Sequence, residues 1–478
     1  MFSFFKRPIS PAEQGGKREV LLVTLPLILG TAAHTIMMFT DRIFLAQYSN
    51  EAFQAVMPAG VLSYVLICTF HQVTSYASTF VAQYNGAKSP QGCLHATAQG
   101  LWLSLFSIPF ILLLTPLGLL IIAHSKFPEA VIPEARIYFL ILMLGGLLLP
   151  LTGAISAYFT GKQLLKLHVL ANIIGALLNI PLDYLLIFGN ETLGVPAMGI
   201  RGAAYATVIS GCVPFVMQFW WYLRSHDLRV YGWRPAFRLD FPLMWRIIHF
   251  GLPSAFQVLV DVGSFALFTF IIGRLGAYEL TAGSMCFSVN HLAFAPLMAI
   301  GFATSIVAAR YQGARESRLA LRTGWSGLKV GWFYMFPVAL LFIALPEFFI
   351  QMFNPKASEF TVPHLLEIIR PMMIMMAVWG IADTVNIVIM SALRGVGDTR
   401  FVMLCMFIGG WAVWMPAEYL ALRLGYGLLA MWGVMTVYIL LLGLVFAWRW
   451  HRAKWMSIQV IEPNLIPTHV LLADIPQD

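Results

Sequence analysis

Long apolar stretches alternate with short polar ones along the whole chain. A helix that spans a bilayer needs about 20 mostly apolar residues, and about twelve such stretches can be read in the 478 residues. The polar segments between them are short, so little of the chain is left for a domain outside the membrane. The pattern predicts an all-α integral membrane protein with twelve transmembrane helices.

The two halves of the chain contain matching short motifs in the same order. The matched pairs are Leu25-Pro26 with Leu252-Pro253, Ala82–Ala87 with Ala309–Ala314, Ser156-Ala157 with Ser391-Ala392, Gly175 with Gly410, and Pro181–Leu185 with Pro416–Leu420. Six helices per copy is an even number, so both copies enter the membrane in the same direction. The sequence therefore predicts two six-helix bundles related as a parallel repeat.

The repeat and a polar middle segment set the predicted domain boundaries. In the middle segment, Arg, Asp, Trp and Pro replace the apolar runs. The predicted ranges are an N-terminal segment at 1–19, a first lobe at 20–223 with helices one to six, an inter-lobe loop at 224–242, a second lobe at 243–452 with helices seven to twelve, and a C-terminal tail at 453–478. Two lobes of this kind suit a transporter that works by alternating access.

The distribution of charged residues predicts which ends of the helices face the cytoplasm. Hydrophobic residues make up 59% of the chain and charged residues 11%, with a mean hydropathy of +0.78 and a net charge of +8. If the N-terminus is cytoplasmic, 21 of the 30 Lys and Arg residues fall on the cytoplasmic side, which is the positive-inside bias. We therefore expect a multi-pass protein of the cytoplasmic (inner) membrane with both termini cytoplasmic. The basic surplus is explained by topology, so no nucleic-acid partner is expected.

The cysteines and the N-terminal region do not indicate a metal site, a cofactor or a cleaved signal peptide. The five cysteines show no CxxC or metal-ligand spacing, so they are interpreted as small packing residues and no cofactor is expected. The N-terminal region carries charges but no cleavage-like site. The first apolar stretch is therefore interpreted as a membrane helix and not as a signal peptide.

Four oxygen-bearing side chains of the first half fall at one depth in the predicted spans. Asp41 lies about six residues, or about 9 Å, before the outer end of the first span, and Asp183 lies at a similar depth in the fifth. Asn179 is one turn from Asp183 on the same helix face, and Thr207 enters from the sixth span. Oxygen ligands at one depth suit Na⁺, and two neighbouring carboxylates suit a proton. The alternative is a set of structural hydrogen bonds between helices.

Acidic residues of the second half are arranged differently. Asp261 and Asp383 fall near mid-depth on the seventh and tenth spans, where negative charge would favour a cation or a cationic substrate. Glu418 is the repeat partner of Asp183, and its place nearer the outer end predicts contact with solvent. Phe268 stands where the repeat would place a partner for Asp41. Ion coupling is therefore expected mainly in the first half.

Two further residues of the first span bear on movement and proton transfer. Pro26 removes a backbone hydrogen bond inside the helix, so a kink and a hinge are expected there, or a tolerated packing feature. His34 lies two turns before Asp41 on the same face. It is interpreted either as a proton relay or as a hydrogen-bonded structural residue.

Five stretches of the chain resemble the multidrug and toxic-compound extrusion (MATE) family over nearly the whole length. They are Thr40-Asp41, Leu178–Asp183, Gly202–Thr207, Gly251–Pro253 leading to Asp261, and Asp383 leading to Leu393–Thr399. The resemblance implies antiport, in which organic cations or amphipathic compounds are exported in exchange for Na⁺ or H⁺. It also implies a cation site at Asp41, Asn179, Asp183 and Thr207, and acidic positions at Asp261 and Asp383. Many members carry Glu on the seventh span where this chain has the shorter Asp261.

Other function classes fit the sequence less well. A lipid-linked oligosaccharide flippase of the same superfamily is the first alternative, but it would need a strongly cationic cavity, and Lys329 is a rare cation inside a span. A major-facilitator carrier would need an acidic and multi-Arg loop that the segment 86–90 lacks. An intramembrane enzyme would need a Gly-x-Ser-x-Gly or HExxH motif, and neither occurs. A monomeric transporter of small molecules, with membrane lipids around it, is expected.

Overall fold

The computed structural model describes residues 9–125, 127–352 and 362–461. Within these residues, twelve helices are long and apolar enough to cross a membrane, which confirms the all-α prediction of twelve spans. They are α1 (Lys17–Tyr48), α2 (Asn50–Gly86), α3 (Pro90–Ala123), α4 (Val131–Gly161), α5 (Leu165–Phe188), α6 (Ile200–Leu223), α7 (Phe241–Gly273), α8 (Tyr278–Gly313), α9 (Ser317–Ala344), α10 (Leu365–Gly395), α11 (Thr399–Arg423) and α12 (Leu428–Arg452).

One of these helices changes its winding in the middle. In α11, a π-helical segment at Ile408–Trp414 separates two α-helical pieces, Thr399–Phe407 and Met415–Arg423. Pro416 has no N–H and cannot donate to the carbonyl of Ala412, so the regular ladder is already interrupted there. Wider turns of this kind often mark functional positions in helices.

The chain forms two compact units. The N-unit comprises Leu25–Ala255 with residues 460–461, and the C-unit comprises residues 9–24 with Phe256–Gln459. The boundaries fall inside α1 and α7, close to the repeat-related Pro26 and Pro253. The domain ranges derived from the sequence stay a prediction.

Each unit has its own apolar core and an apolar outer surface. The N-unit core includes Leu45, Ile111 and Phe139, and the C-unit core includes Phe268 and Trp432. Many large apolar side chains point away from both cores. Among them are Leu113, Phe333 and Leu444, which are 75%, 83% and 68% exposed. Lipid is the medium in which such a surface is stable, in keeping with a multi-pass membrane protein.

The segment predicted as the inter-lobe loop contains two short helices, His226–Tyr231 and Trp233–Ala236. Asp227 in the first of them forms an ion pair with Lys162 and accepts a 2.8 Å hydrogen bond from the Tyr158 hydroxyl. These contacts hold the segment on the end of α4.

Candidate functional site

Side-chain contacts between α1 and α5 place Asp41 and Asp183 on neighbouring helices of the N-unit. At one end, a Cβ added to Gly30 would lie 3.7 Å from the Val169 side chain. At the other end, the Phe44 ring lies 5.8 Å from the Tyr184 ring in an edge-to-face contact. Because Phe44 is one turn beyond Asp41 and Tyr184 follows Asp183, these contacts align the two carboxyl groups. Their charges are close enough to interact directly.

The packing of α5 against α6 sets the level of Thr207. The Gly199 N–H donates to the Ile187 carbonyl at 3.1 Å, and a Cβ added to Gly175 would lie 3.1 Å from the Ser210 carbonyl oxygen. These two contacts place Thr207 beside residues 178–179 of the antiparallel neighbour. Thr207 is half-buried, and its carbonyl accepts a hydrogen bond from the Ser210 hydroxyl at 3.1 Å. Thr207 therefore lies at the level of Asn179, about one helical turn from Asp183.

The polar atoms at this place lack protein partners. Asp183 and Asn179 are 0% and 1% exposed. Both carboxyl oxygens of Asp183, both amide atoms of Asn179 and Oδ1 of Asp41 are buried and have no hydrogen-bond partner among the described residues. Buried polar groups almost always have partners, and leaving one without costs about 1–3 kcal/mol. Such a cluster is typical of a site that receives a ligand, whereas structural hydrogen bonds between helices would have satisfied these atoms.

Proline chemistry adds a further acceptor to the same helix. Pro181 lies inside α5, between Asn179 and Asp183. Since proline has no N–H, it cannot donate to the carbonyl oxygen of Leu177. That oxygen is of the hard type that binds Na⁺ and similar cations.

Two groups near this site were not found from the sequence. Tyr138 on α4 is 5% exposed and interacts electrostatically with both Asp41 and Asp183. Toward the start of α5, His168 Nδ1 lies 3.2 Å from Gln218 Oε1, and Asn172 Nδ2 lies 3.1 Å from His168 Nε2. The spacing of His168, Asn172 and Asn179 would have indicated a polar face on α5. No sequence signal marks Tyr138, because its place depends on how α4 packs.

In the C-unit, Asp261 and Asp383 are half-buried and have protein partners. The Gln257 amide donates to Asp261 at 3.4 Å, and Asp261 also interacts electrostatically with Arg394 and Asp383. The Asn386 amide donates to Asp383 at 3.0 Å. Both acids are thus more exposed than Asp183, and each accepts a hydrogen bond from a side-chain amide.

The expectation that Glu418 contacts solvent is wrong. Its side chain is 0% exposed, and its Oε1 accepts a 2.8 Å hydrogen bond from the Trp414 indole one turn earlier. The Phe268 ring packs on the same indole, with the ring centroids 5.3 Å apart. The position of Glu418 near the end of its span predicted solvent contact. That prediction failed because two neighbouring aromatic rings exclude water from the carboxyl group.

The remaining predicted positions are single residues on α1. Pro26 is half-buried, and the helix continues through it. The His34 side chain is exposed on the helix surface. Across the described ranges, no group of three or more His, Cys, Asp or Glu side chains gathers as a metal cluster. A cation at the N-unit site would therefore rely on two carboxylates with amide, hydroxyl or carbonyl oxygens.

Comparisons with known proteins give one consistent result. The family model MatE matches residues 26–185 and 253–420. The chain is also similar to a solved multidrug resistance MATE family transporter of the MOP superfamily in an outward-facing conformation, with a TM-score of 0.82 and 18% identity over 95% of this chain and 100% of that one.

Two further solved structures extend the comparison. A MOP superfamily transporter from Pyrococcus furiosus, whose reversed binding-pocket polarity is said to suggest a different function, has a TM-score of 0.81 and 17% identity over 95% of this chain and 100% of that one. A MATE protein in a straight conformation has a TM-score of 0.80 and 19% identity over 93% and 98% of the two chains. Likeness at this identity shows the shared fold, while the family model covers most of the chain. The chain therefore belongs to the MatE family.

Proposed function

We propose that the protein is a secondary active antiporter that exports organic cations or amphipathic compounds in exchange for Na⁺ or H⁺. The observation that carries this proposal is the cluster of buried, unpartnered polar atoms on Asp41, Asn179 and Asp183. A carboxylate removed from water is stable only when a counter-charge or a proton joins it. An exchange of cations at this cluster would supply that partner during each transport cycle.

Both coupling ions fit the composition of the site. Carboxylate, amide, hydroxyl and carbonyl oxygens are the ligands that hard cations such as Na⁺ prefer. Two carboxylates close enough to interact, Asp41 and Asp183, also favour uptake of a proton, because both cannot easily be charged at once. Efflux driven by a Na⁺ gradient or by a pH gradient distinguishes the two ions.

The acidic residues of the C-unit are suited to binding a cationic substrate. Asp261 and Asp383 are half-buried, so a cationic compound could reach them without first losing all its water. Negative charge in a partly apolar surrounding raises the local concentration of cations. We assign these two residues to substrate binding, with a second cation site as the alternative for the same pair.

The proposed cycle couples ion binding to movement of α1. A cation or proton arriving between Asp41 and Asp183 would draw α1 and α5 closer, and Pro26 gives α1 a position at which it can bend. Related solved proteins are described in straight, bent and outward-facing conformations, which supports alternating access. In this proposal the protein is not an enzyme, and it lies in the cytoplasmic membrane with both termini cytoplasmic, as the positive-inside bias indicates.

Proteoliposome efflux of a fluorescent organic cation, under an imposed Na⁺ or pH gradient, tests this function. We expect one of the two gradients to drive efflux, and Asp41→Asn to remove most of the gradient dependence while the variant still reconstitutes. Full gradient-driven efflux by Asp41→Asn would refute the coupling site. Movement of a labelled lipid headgroup without any efflux of cations would favour the flippase alternative.

A further inference from the structure

The N-terminal segment is fixed on the C-unit by a buried ionic cluster. Glu19 is 1% exposed and forms an ion pair with Arg310. The Tyr311 hydroxyl donates to the same carboxyl group at 2.8 Å, and the Gly15 N–H donates to it at 2.8 Å as well. Gly15 has a φ of +63°, and a Cβ there would lie 2.8 Å from the Leu319 carbonyl oxygen. The segment therefore lies against the start of α9, with Gly15 beside Leu319.

A pocket of about 440 Å³ lies between this segment and α9. Its charged and aromatic lining residues are Glu13, Lys17, Arg18, Arg322, Trp325 and Lys329. Four cations thus share the pocket with one acid. The excess of positive charge is the first property that a ligand of this pocket would have to match.

The single acid of the pocket is already engaged. Arg18 Nη1 lies 2.8 Å from Glu13 Oε2. The Ser10 backbone N–H donates to the same oxygen at 3.1 Å and holds the pKa of Glu13 below its ordinary value. Glu13 is therefore ionised and paired inside its own segment, so it neutralises Arg18 and leaves the other cations of the pocket without a counter-charge.

Three of those cations have no acidic partner among the described residues: Lys17, Arg322 and Lys329. Arg322 donates one hydrogen bond, from Nη2 to the Ala12 carbonyl at 2.9 Å, which fixes its guanidinium at the rim. Lys329 is exposed and lies two turns further along α9, about 10.5 Å away. Arg322, Trp325 and Lys329 are spaced to share one helix face.

Apolar residues continue the same face toward the membrane interior. Phe333, Phe336 and Leu340 follow Lys329 at helical spacing, and they are 83%, 50% and 66% exposed. Along this face of α9, cationic side chains are therefore followed by exposed apolar side chains. That order matches the order of a phosphate headgroup and its acyl chains in one membrane leaflet.

The repeat-related pocket in the N-unit provides an internal comparison. It lies between α3 and the segment before α7, and it includes His95, Trp102 and Asp240. These stand at the positions of Arg322, Lys329 and Glu13 in the repeat. Here protein groups satisfy one another: His95 Nε2 lies 3.1 Å from Asp240 Oδ2, and the Trp102 indole donates to the Phe237 carbonyl at 3.0 Å. The C-unit pocket has the same construction, but the repeat places Arg322 and Lys329 where the N-unit pocket has His95 and Trp102. The cations of the N-unit pocket, Arg234 and Arg238, lie instead on the segment before α7.

We propose that the pocket between the N-terminal segment and α9 binds a phosphate group, with Lys17, Arg322 and Lys329 as its ligands. The two sources of such a group are the headgroup of an anionic phospholipid and free inorganic phosphate. The apolar continuation at Phe333 and Phe336 favours the lipid. Clusters of basic side chains at the cytoplasmic end of membrane helices bind anionic headgroups in this way, and the positive-inside bias places this end of α9 in the cytoplasm.

The test is lipid binding to the purified full-length protein in detergent, followed by native mass spectrometry. Phosphatidylglycerol and phosphatidylcholine with the same acyl chains are titrated separately, and inorganic phosphate is titrated alone and as a competitor. The variant Arg322→Gln/Lys329→Gln removes two cations from the pocket. The control variant Arg234→Gln/Arg238→Gln removes two cations from the repeat-related pocket, so it corrects for non-specific attraction. Lys329 makes no hydrogen bond or ion pair with the described residues, so Lys329→Gln alone serves as the variant that keeps the fold.

We expect saturable binding of phosphatidylglycerol that is weakened roughly tenfold or more by loss of the two pocket cations. Lys329→Gln should give part of that loss, and the control variant should change binding by less than about twofold. Tighter binding of phosphatidylglycerol than of inorganic phosphate identifies the lipid as the source, and equal binding identifies free phosphate. Equal affinity for the two lipids without phosphate binding, or equal weakening by pocket and control variants, would overturn the proposal.

Discussion

The two halves of the chain place different side chains at three matched positions. In the N-unit these are Asp41, Asn179 and Asp183, whose buried polar atoms have no partner among the described residues. In the C-unit the matched residues are Phe268, Trp414 and Glu418. There the Phe268 ring packs on the Trp414 indole, and the indole donates to Glu418.

The difference shows how one duplicated scaffold supports two kinds of buried carboxyl group. Glu418 Oε1 accepts a hydrogen bond from the Trp414 indole, while its Oε2 is buried without a partner among the described residues. The residue matched to Asp41 is Phe268, so no second carboxylate stands at that position. Asp183 has a second carboxylate and an amide in the place of those rings. Leaving several buried polar atoms of neighbouring side chains without partners destabilises a fold. The group formed by Asp41, Asn179 and Asp183 therefore indicates that the N-unit site is functional.

The largest difference between the two halves is expected when each of the two matched carboxyl groups is replaced by a neutral amide. Asp183→Asn should lower gradient-driven transport by about 100-fold or more, since even groups outside a ligand shell are worth about 10- to 100-fold in metal affinity. Glu418→Gln should keep ion coupling, because its carboxyl group lies outside the proposed ion path. Initial rates of efflux from proteoliposomes, with equal protein content, give both values. Equal loss of ion coupling in the two variants would contradict the proposed difference between the two halves.

A smaller effect is expected at the C-unit acids. Asp383→Asn should raise the KM for a cationic substrate about fivefold, equivalent to about 1 kcal/mol for one partly solvated charge. The ratio of ions to substrate should stay constant, since these acids are assigned to substrate and not to coupling. Uptake measured against substrate concentration at a fixed gradient tests this, with a neutral substrate as the control. A changed ion ratio with unchanged KM would move coupling into the C-unit.

The smallest effects concern stability and have opposite signs in the two halves. Asn179→Leu removes two unpartnered buried atoms, so the protein should become more stable by about 1 kcal/mol or more while transport is lost. Trp414→Phe leaves Glu418 Oε1 without its donor, so stability should fall by about 1–3 kcal/mol while transport persists. Thermal unfolding in detergent, paired with an efflux assay, reports both. Destabilisation by Asn179→Leu would show that Asn179 is a structural residue.

The sequence predicted those features that depend on position along a helix. The twelve spans follow from apolar length, and the Asn179–Asp183 pair follows from helical spacing. The proximity of Asp41 followed from a common depth, which α1 and α5 realise by packing Phe44 on Tyr184.

The features it missed depend on contacts between helices. Tyr138, on α4, interacts electrostatically with the two carboxylates, and no local pattern sets it apart from other span tyrosines. The burial of Glu418 depends on Phe268 and Trp414, which are far from each other in sequence. Lys17 was interpreted only as a topological charge, because the position of the N-terminal segment on α9 depends on the buried pair between Glu19 and Arg310.

The most direct test of the central claim is the number of coupling ions released when substrate binds to the purified protein. Ion-selective dyes for Na⁺ and H⁺ in weakly buffered detergent solution would report the ions released per substrate for the wild type, Asp183→Asn and Glu418→Gln. The account predicts that substrate displaces one kind of ion from the wild type and from Glu418→Gln, and none from Asp183→Asn. Release that persists in Asp183→Asn and disappears in Glu418→Gln would contradict it.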